Sequence, residues 1–184
     1  LAEAGVDFIL MEMMYEPVRA QAAISAALAT GLPVWIGISC TRRPDGRMVG
    51  WDAIAESAAE RLGEHPEARP EFALDELIAG YLALGGQVAG IMHSKIASTS
   101  PGLEALARQW SGPVMAYPET IVLSGTDPHY HVPSEEFAAH CRRWVEEGVQ
   151  IVGGCCGTTI EHIRQMVDAL PIRPRPAPGQ TSDA

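Results

Sequence analysis

Basic residues are scarce in this chain. Lysine and arginine number 13 against 23 aspartates and glutamates, leaving a formal charge of −10 over 184 residues. Nucleic acid and anionic membrane surfaces both call for a basic face, so neither is expected as a partner. Long hydrophobic runs are absent too. No stretch reaches the roughly 18 to 20 apolar residues of a membrane span, and the first residues show neither a basic n-region nor a signal h-region. Cysteine is limited to four. In the cytoplasm, the expected location, four cysteines stay reduced, and neighbouring ones point to metal or catalysis before a disulfide. Small-molecule chemistry is what these exclusions leave. The chain opens on Leu1, and "LAEAGVDFILME" reads as a helix end, a glycine stop at Gly5 and a strand, as though a pattern were already under way.

What is present is an ordinary globular composition, 47% hydrophobic and 20% charged. Five dense apolar runs read as strands: residues 6–12, 33–40, 87–93, 113–117 and 150–154. Their hydrophobicity is nearly continuous instead of alternating, which predicts parallel strands covered on both faces. Helical stretches separate them. Residues 16–31 carry a proline at the start and Gly31 at the end, while residues 133–148 place acids in the first turn and Phe137, Cys141, Trp144 and Val145 along one face. Strand and helix in alternation mean an α/β fold. Residues 63–72 and 124–134 read as loops, and the proline-rich tail 171–184 reads as extended or disordered. Five units fit an open doubly wound sheet or part of a (β/α)8 barrel, which takes about 250 residues in full; counting favours the open sheet.

Parallel α/β folds gather function at the carboxyl ends of their strands. At those ends stand Glu12, Cys40, His93, Tyr117 with Glu119, and the pair Cys155–Cys156 within "IVGGCCGTT". Neighbouring side chains of a strand point to opposite faces. The two cysteines can therefore converge only where the backbone has begun to turn, as Gly153, Gly154 and Gly157 permit. Two thiolates and an imidazole would share one rim, and Cys2His with an open position is a catalytic zinc arrangement.

"IVGGCCGTTIEHI" resembles the C-terminal signature of the zinc-dependent homocysteine S-methyltransferase family, which includes betaine–homocysteine methyltransferase. The likeness continues through residues 5–39, "YPE" and the helix before the double cysteine. It implies a (β/α)8 TIM barrel of which residues 1–170 form the last five βα units, followed by the tail 171–184. It implies Zn2+ held by Cys155, Cys156 and His93, with Glu12 on the amino group of homocysteine. The implied reaction transfers methyl to the homocysteine thiol, yielding methionine, from S-methylmethionine, S-adenosylmethionine, betaine or methylfolate.

The chain also departs from the family. Met92–His93 stands where Asn–Cys is usual, Met13 where Thr is common, and Glu119 where Asn is frequent. With histidine for cysteine, zinc plus a substrate thiolate carries net −1 instead of −2. Two other functions stay open on the sequence: a zinc-dependent hydrolase or lyase whose open position holds water, and a non-catalytic zinc- or thiol-binding member.

Plainer roles compete for individual residues. A cysteine pair can pack at a tight turn, and His93 can bond to backbone. His129 and His131 suit a solvated loop. Cys40 and Cys141 suit packing, and Tyr117, Trp51 or Trp110 could face a cationic donor. Thr158 with Glu161 reads as a capping box. Glu12 reads as a buried carboxylate in need of a partner.

Overall fold

Parallel strands lie side by side in chain order in the computed structural model, which describes residues 2–52, 70–121 and 130–171. The strands are β1 (Ile9–Met11), β2 (Val34–Arg42), β3 (Met48–Gly50), β4 (Val88–Lys95), β5 (Val114–Glu119) and β6 (Ile151–Val152). Their order is β1-β2-β4-β5-β6, every pairing parallel, with β3 hairpinned antiparallel onto β2. A doubly wound sheet reverses its strand order at a switch point. None occurs among the described residues, so the order is that of a barrel wall, against the open sheet that counting favoured.

Helices cover one face: α1 (Pro17–Leu28), α2 (Leu74–Leu82), α3 (Ile96–Ala107), α4 (Ser134–Glu146) and α5 (Ile160–Ala169). Helix α1 starts at Glu16, whose carboxylate accepts from the Val18 and Arg19 amides at 3.0 Å each, and Pro17 follows where an amide hydrogen is dispensable. Its buried face is Ala20, Ile24 and Ala27. Helix α4 buries Phe137, Ala138, Cys141 and Trp144, while Val145 is only half-buried. The Trp144 indole N–H donates to Ser100 Oγ at 3.0 Å and ties α4 to α3.

Burial along each strand tells which side faces which layer. Ile36, Ile38 and Cys40 of β2 and Ala89 and Ile91 of β4 join a core with α1, α2 and α3; Ala116 of β5 joins a second with α4 and α5. Gly37, Ser39, Met115 and Tyr117, on the alternate positions, therefore face the inner side of the wall. A Cβ on Gly37 would lie 2.6 Å from the Tyr117 hydroxyl, so glycine leaves the space that tyrosine occupies.

The expected strands 6–12 and 150–154 are shorter than read: the parallel ladders comprise only Ile9–Met11 and Ile151–Val152, with the Gln150 and Gly153 amides bonding to Val114 O and Ala116 O at the ends of β6. Cys40 and Cys141 are fully buried on the helix side, as packing residues. Among the described residues no helix is long and apolar enough to cross a membrane. Loop residues 63–69 and 124–129 and tail residues 172–184 lie outside the described residues.

Candidate metal centre

Strict alternation would send His93 to the helix side with Ala89 and Ile91. The β4–β5 register shifts between Met92↔Tyr117 and Lys95↔Glu119, so two residues of β4 stand against one of β5. Such a bulge re-aims the side chain it contains. His93 takes φ +44°, a conformation that costs a residue with a Cβ roughly 1–2 kcal/mol. Its ring thereby turns inward, 3% exposed.

The cysteines arrive from β6. Beyond Val152 the chain is clipped to the end of β5: the Cys155 amide donates to Pro118 O at 2.9 Å and the Thr120 amide to Cys156 O at 2.8 Å. Gly157 closes the turn at φ +79°, where a Cβ would fall 1.7 Å from Ile121 Cγ2. Only glycine fits there, on both counts.

The two pieces meet. His93 Nδ1 lies 3.5 Å from Cys155 Sγ and 3.4 Å from Cys156 Sγ, and the sulfurs are 3.8 Å apart. With Zn–S bonds of about 2.3 Å and Zn–N of about 2.0–2.1 Å, a tetrahedral ion separates its sulfurs by about 3.8 Å and sulfur from nitrogen by about 3.6 Å. The three donors fit three corners of a zinc tetrahedron. No fourth His, Cys or carboxylate joins the group among the described residues, which leaves one corner for an exogenous ligand.

The electrostatics suit a cation. Burial, then Cys156, pushes the Cys155 thiol above its ordinary range, so a thiolate there calls for a positive partner. Burial lowers the His93 pKa, against the pull of Asp52 and Glu12, and favours the neutral imidazole that ligates metal. Nε2, the nitrogen left to carry the hydrogen, is buried with no hydrogen-bond partner among the described residues.

Glu12 follows β1 and is exposed, not buried as its sequence position suggested, because the strand already ends at Met11. It is nonetheless an electrostatic neighbour of His93, Tyr117 and Cys155. The Tyr117 hydroxyl is buried and, among the described residues, has Glu12 as its nearby acid without close hydrogen-bond geometry; burial and then the Glu12 charge push its pKa up. Glu119 is 1% exposed, and burial, only partly offset by Lys95, raises its carboxyl to about 7.

Other sequence readings resolve differently. His131 bridges to Ile121, meets the His162 ring edge-on at 6.3 Å and is not one of the three grouped donors; His129 lies outside the described residues. Trp110 bonds to Pro113 O, at the amino end of β5 and hence opposite the cysteines. The capping box is one residue later than read: the Thr159 amide donates to His162 Nδ1 at 3.2 Å, while Glu161 pairs with Arg164. Trp51, read only as a contact for a donor, stacks on His93 with centroids 6.0 Å apart at 25°. Sequence reasoning missed Ser39 altogether, although a polar residue inside the run "VWIGISC" is itself a signal that something needs a hydrogen bond.

The homocysteine S-methyltransferase family model matches residues 1–170, and the chain belongs to that family. A curated relative, the homocysteine S-methyltransferase YbgG of Bacillus subtilis (strain 168), is 27% identical over 178 residues, covering 90% of this chain and 47% of that protein. Of solved structures, the apo form of the homocysteine methyltransferase MmuM from Escherichia coli aligns with a TM-score of 0.60 at 19% identity, covering 92% of this chain and 51% of that one. Its metallated form aligns at 0.55 and 20% identity, covering 89% and 45%. These structures share the fold, and the chain spans about half the length of the relatives it matches.

Proposed function

We propose that this chain forms the metal-holding wall of a zinc-dependent homocysteine S-methyltransferase, with Cys155, Cys156 and His93 as the ligands of one Zn2+. The observation that carries the reading is the spacing of these donors, 3.4 to 3.8 Å, around one open corner. A thiol of pKa near 8.5 is only about 3% ionised at pH 7, and a zinc ion bound here would supply the positive charge that lets it give up its proton.

The chain's own residues would do the rest. Neutral His93 contributes no charge, so the donor set brings two negative charges where three cysteines would bring three. Glu12, electrostatic neighbour of His93 and Cys155, would receive the ammonium group of homocysteine and orient its sulfur. That sulfur would then take the methyl carbon in one in-line displacement. A sulfur–carbon bond forms as the donor–carbon bond breaks, the donor keeps that electron pair, and methionine results. Holding both partners in line would supply much of the rate. The donor is a small molecule of the sulfonium, ammonium or folate kind.

The test is methionine formation by the purified protein from homocysteine and each donor in turn, beside Cys156→Ser. Production with at least one donor, lost in the variant, is the expected result; no production with any of them would refute the reading.

A further inference from the structure

His93 needs more than its own strand to stay in place. Its backbone is left-handed at φ +44°, and Nδ1 must keep facing two sulfurs on a different element. We propose that Ser39 is a positioning residue of the metal centre: its hydroxyl fixes the His93 carbonyl and, through Trp51, the wall against which the imidazole rests. The inference builds on the metal-centre reading above.

Ser39 lies on the inner side of β2 and is fully buried. Its Oγ is 2.5 Å from Trp51 O and 3.1 Å from His93 O. A hydroxyl carries one hydrogen, so the two carbonyls share it. The Trp51 amide donates back to Ser39 O at 3.1 Å, extending by one step the pairing of Cys40 with Gly50 that joins β2 to β3. This extension brings the indole into its parallel stack on the imidazole. The hairpin strand β3 thus acquires a purpose that the barrel wall alone does not give it.

The other side of the bulge is fastened separately. Ser94 Oγ donates to Met92 O at 2.7 Å and accepts from the Cys40 amide at 2.9 Å, which secures the strands on the helix side without touching the His93 carbonyl. Ser39 is the side chain that joins the ligand's own backbone to its neighbours. A buried hydroxyl must find partners, and here one of them is the residue whose placement the metal requires.

The test compares Ser39→Ala, Ser39→Thr and Ser98→Ala with the parent protein, by Co2+ titration followed through its ligand-field bands, Zn2+ competition and thermal unfolding. Ser98 is the control: its Oγ, 5% exposed, accepts from the Arg42 amide at 3.2 Å and has no bond to His93. S39A is expected to weaken metal binding about 10- to 100-fold, the usual range for losing a group that orients a ligand, and to shift the Co2+ bands. S39T, which keeps the hydroxyl, retains parental affinity and bands; S98A melts lower but binds metal as the parent does. Parental affinity and bands in S39A, equal impairment in S39T, or equal impairment in S98A would overturn the inference while leaving the metal centre standing. A parent protein that takes up no metal would overturn the centre and the inference together.

Discussion

Nδ1 of His93 and Sγ of Cys156 stand 3.4 Å apart although 63 positions separate them in the chain. A bulge in β4 and a glycine turn after β6 each send a donor to the same inner rim, and neither feature helps strand pairing by its own presence. Both depart from regular structure where the three candidate donors meet, as strained positions at functional sites commonly do.

Removing one sulfur should uncouple metal from stability. Cys155→Ser and Cys156→Ser are expected to lower zinc affinity by at least about 100-fold. Metal that binds only the folded state adds about 4 kcal/mol at a thousandfold excess over its Kd. A chelator should therefore lower the melting temperature of the parent protein and leave that of either variant nearly unchanged. Elemental analysis and thermal unfolding with and without chelator check this.

Glu12→Gln should affect the amino acid and spare the metal. Loss of a charge-assisted hydrogen bond is worth about 1.5–3 kcal/mol, and the exposure of Glu12 places the effect near the lower end. Homocysteine should bind about tenfold more weakly at unchanged zinc content, read by calorimetry. An unchanged Kd would remove Glu12 from the binding site.

Glu119 gives the fold a pH dependence of definite sign. Its carboxyl titrates near 7 when folded and near the ordinary 4.5 when unfolded. The folded chain therefore keeps a proton that the unfolded chain has lost. This stabilisation is complete below about pH 4.5, declines as pH rises and is gone above about 7. Its size is on the order of 3 kcal/mol. Glu119→Gln lacks the dependence, so the variant should gain on the parent between about pH 4.5 and 7 in urea unfolding, with the gap level above that; a gap that stays constant across that window would contradict the assignment.

Two glycines of one turn should answer differently to alanine. Gly157→Ala puts a Cβ 1.7 Å from Ile121 Cγ2 on a left-handed backbone, whereas a Cβ on Gly153 meets only Tyr117 Cβ at 3.7 Å. The first should cost on the order of 2–4 kcal/mol and weaken metal binding. The second should cost well under half of that. Urea unfolding and zinc competition measure both.

The parallel strands were legible because buried strands are written as unbroken apolar runs. The cysteine turn was legible because glycines flank it on both sides. Strand β3 passed unread even though "PDG" before Met48 is a hairpin signal, with Gly46 at φ +89°. Helix α3 hides in "IASTSPGLEALA", whose Ser, Thr and Pro are poor helix formers; packing of Leu106, Ala105 and Ile96 outweighs them. The bulge at His93 leaves no mark in the sequence, since it arises from how β4 pairs with β5; the histidine itself was legible from its place at a strand's carboxyl end, and the family resemblance matched it to a ligand position. The capping box slipped by one residue because an imidazole can accept from the cap amide as a carboxylate does.

Zinc-edge X-ray absorption on the protein, with and without homocysteine and beside His93→Ala, tests the central claim most directly. The account predicts one zinc with two sulfur ligands and an imidazole, a third sulfur on adding homocysteine, and a lost or weakened site in the variant. Absence of zinc, or a sulfur count indifferent to homocysteine, would contradict it.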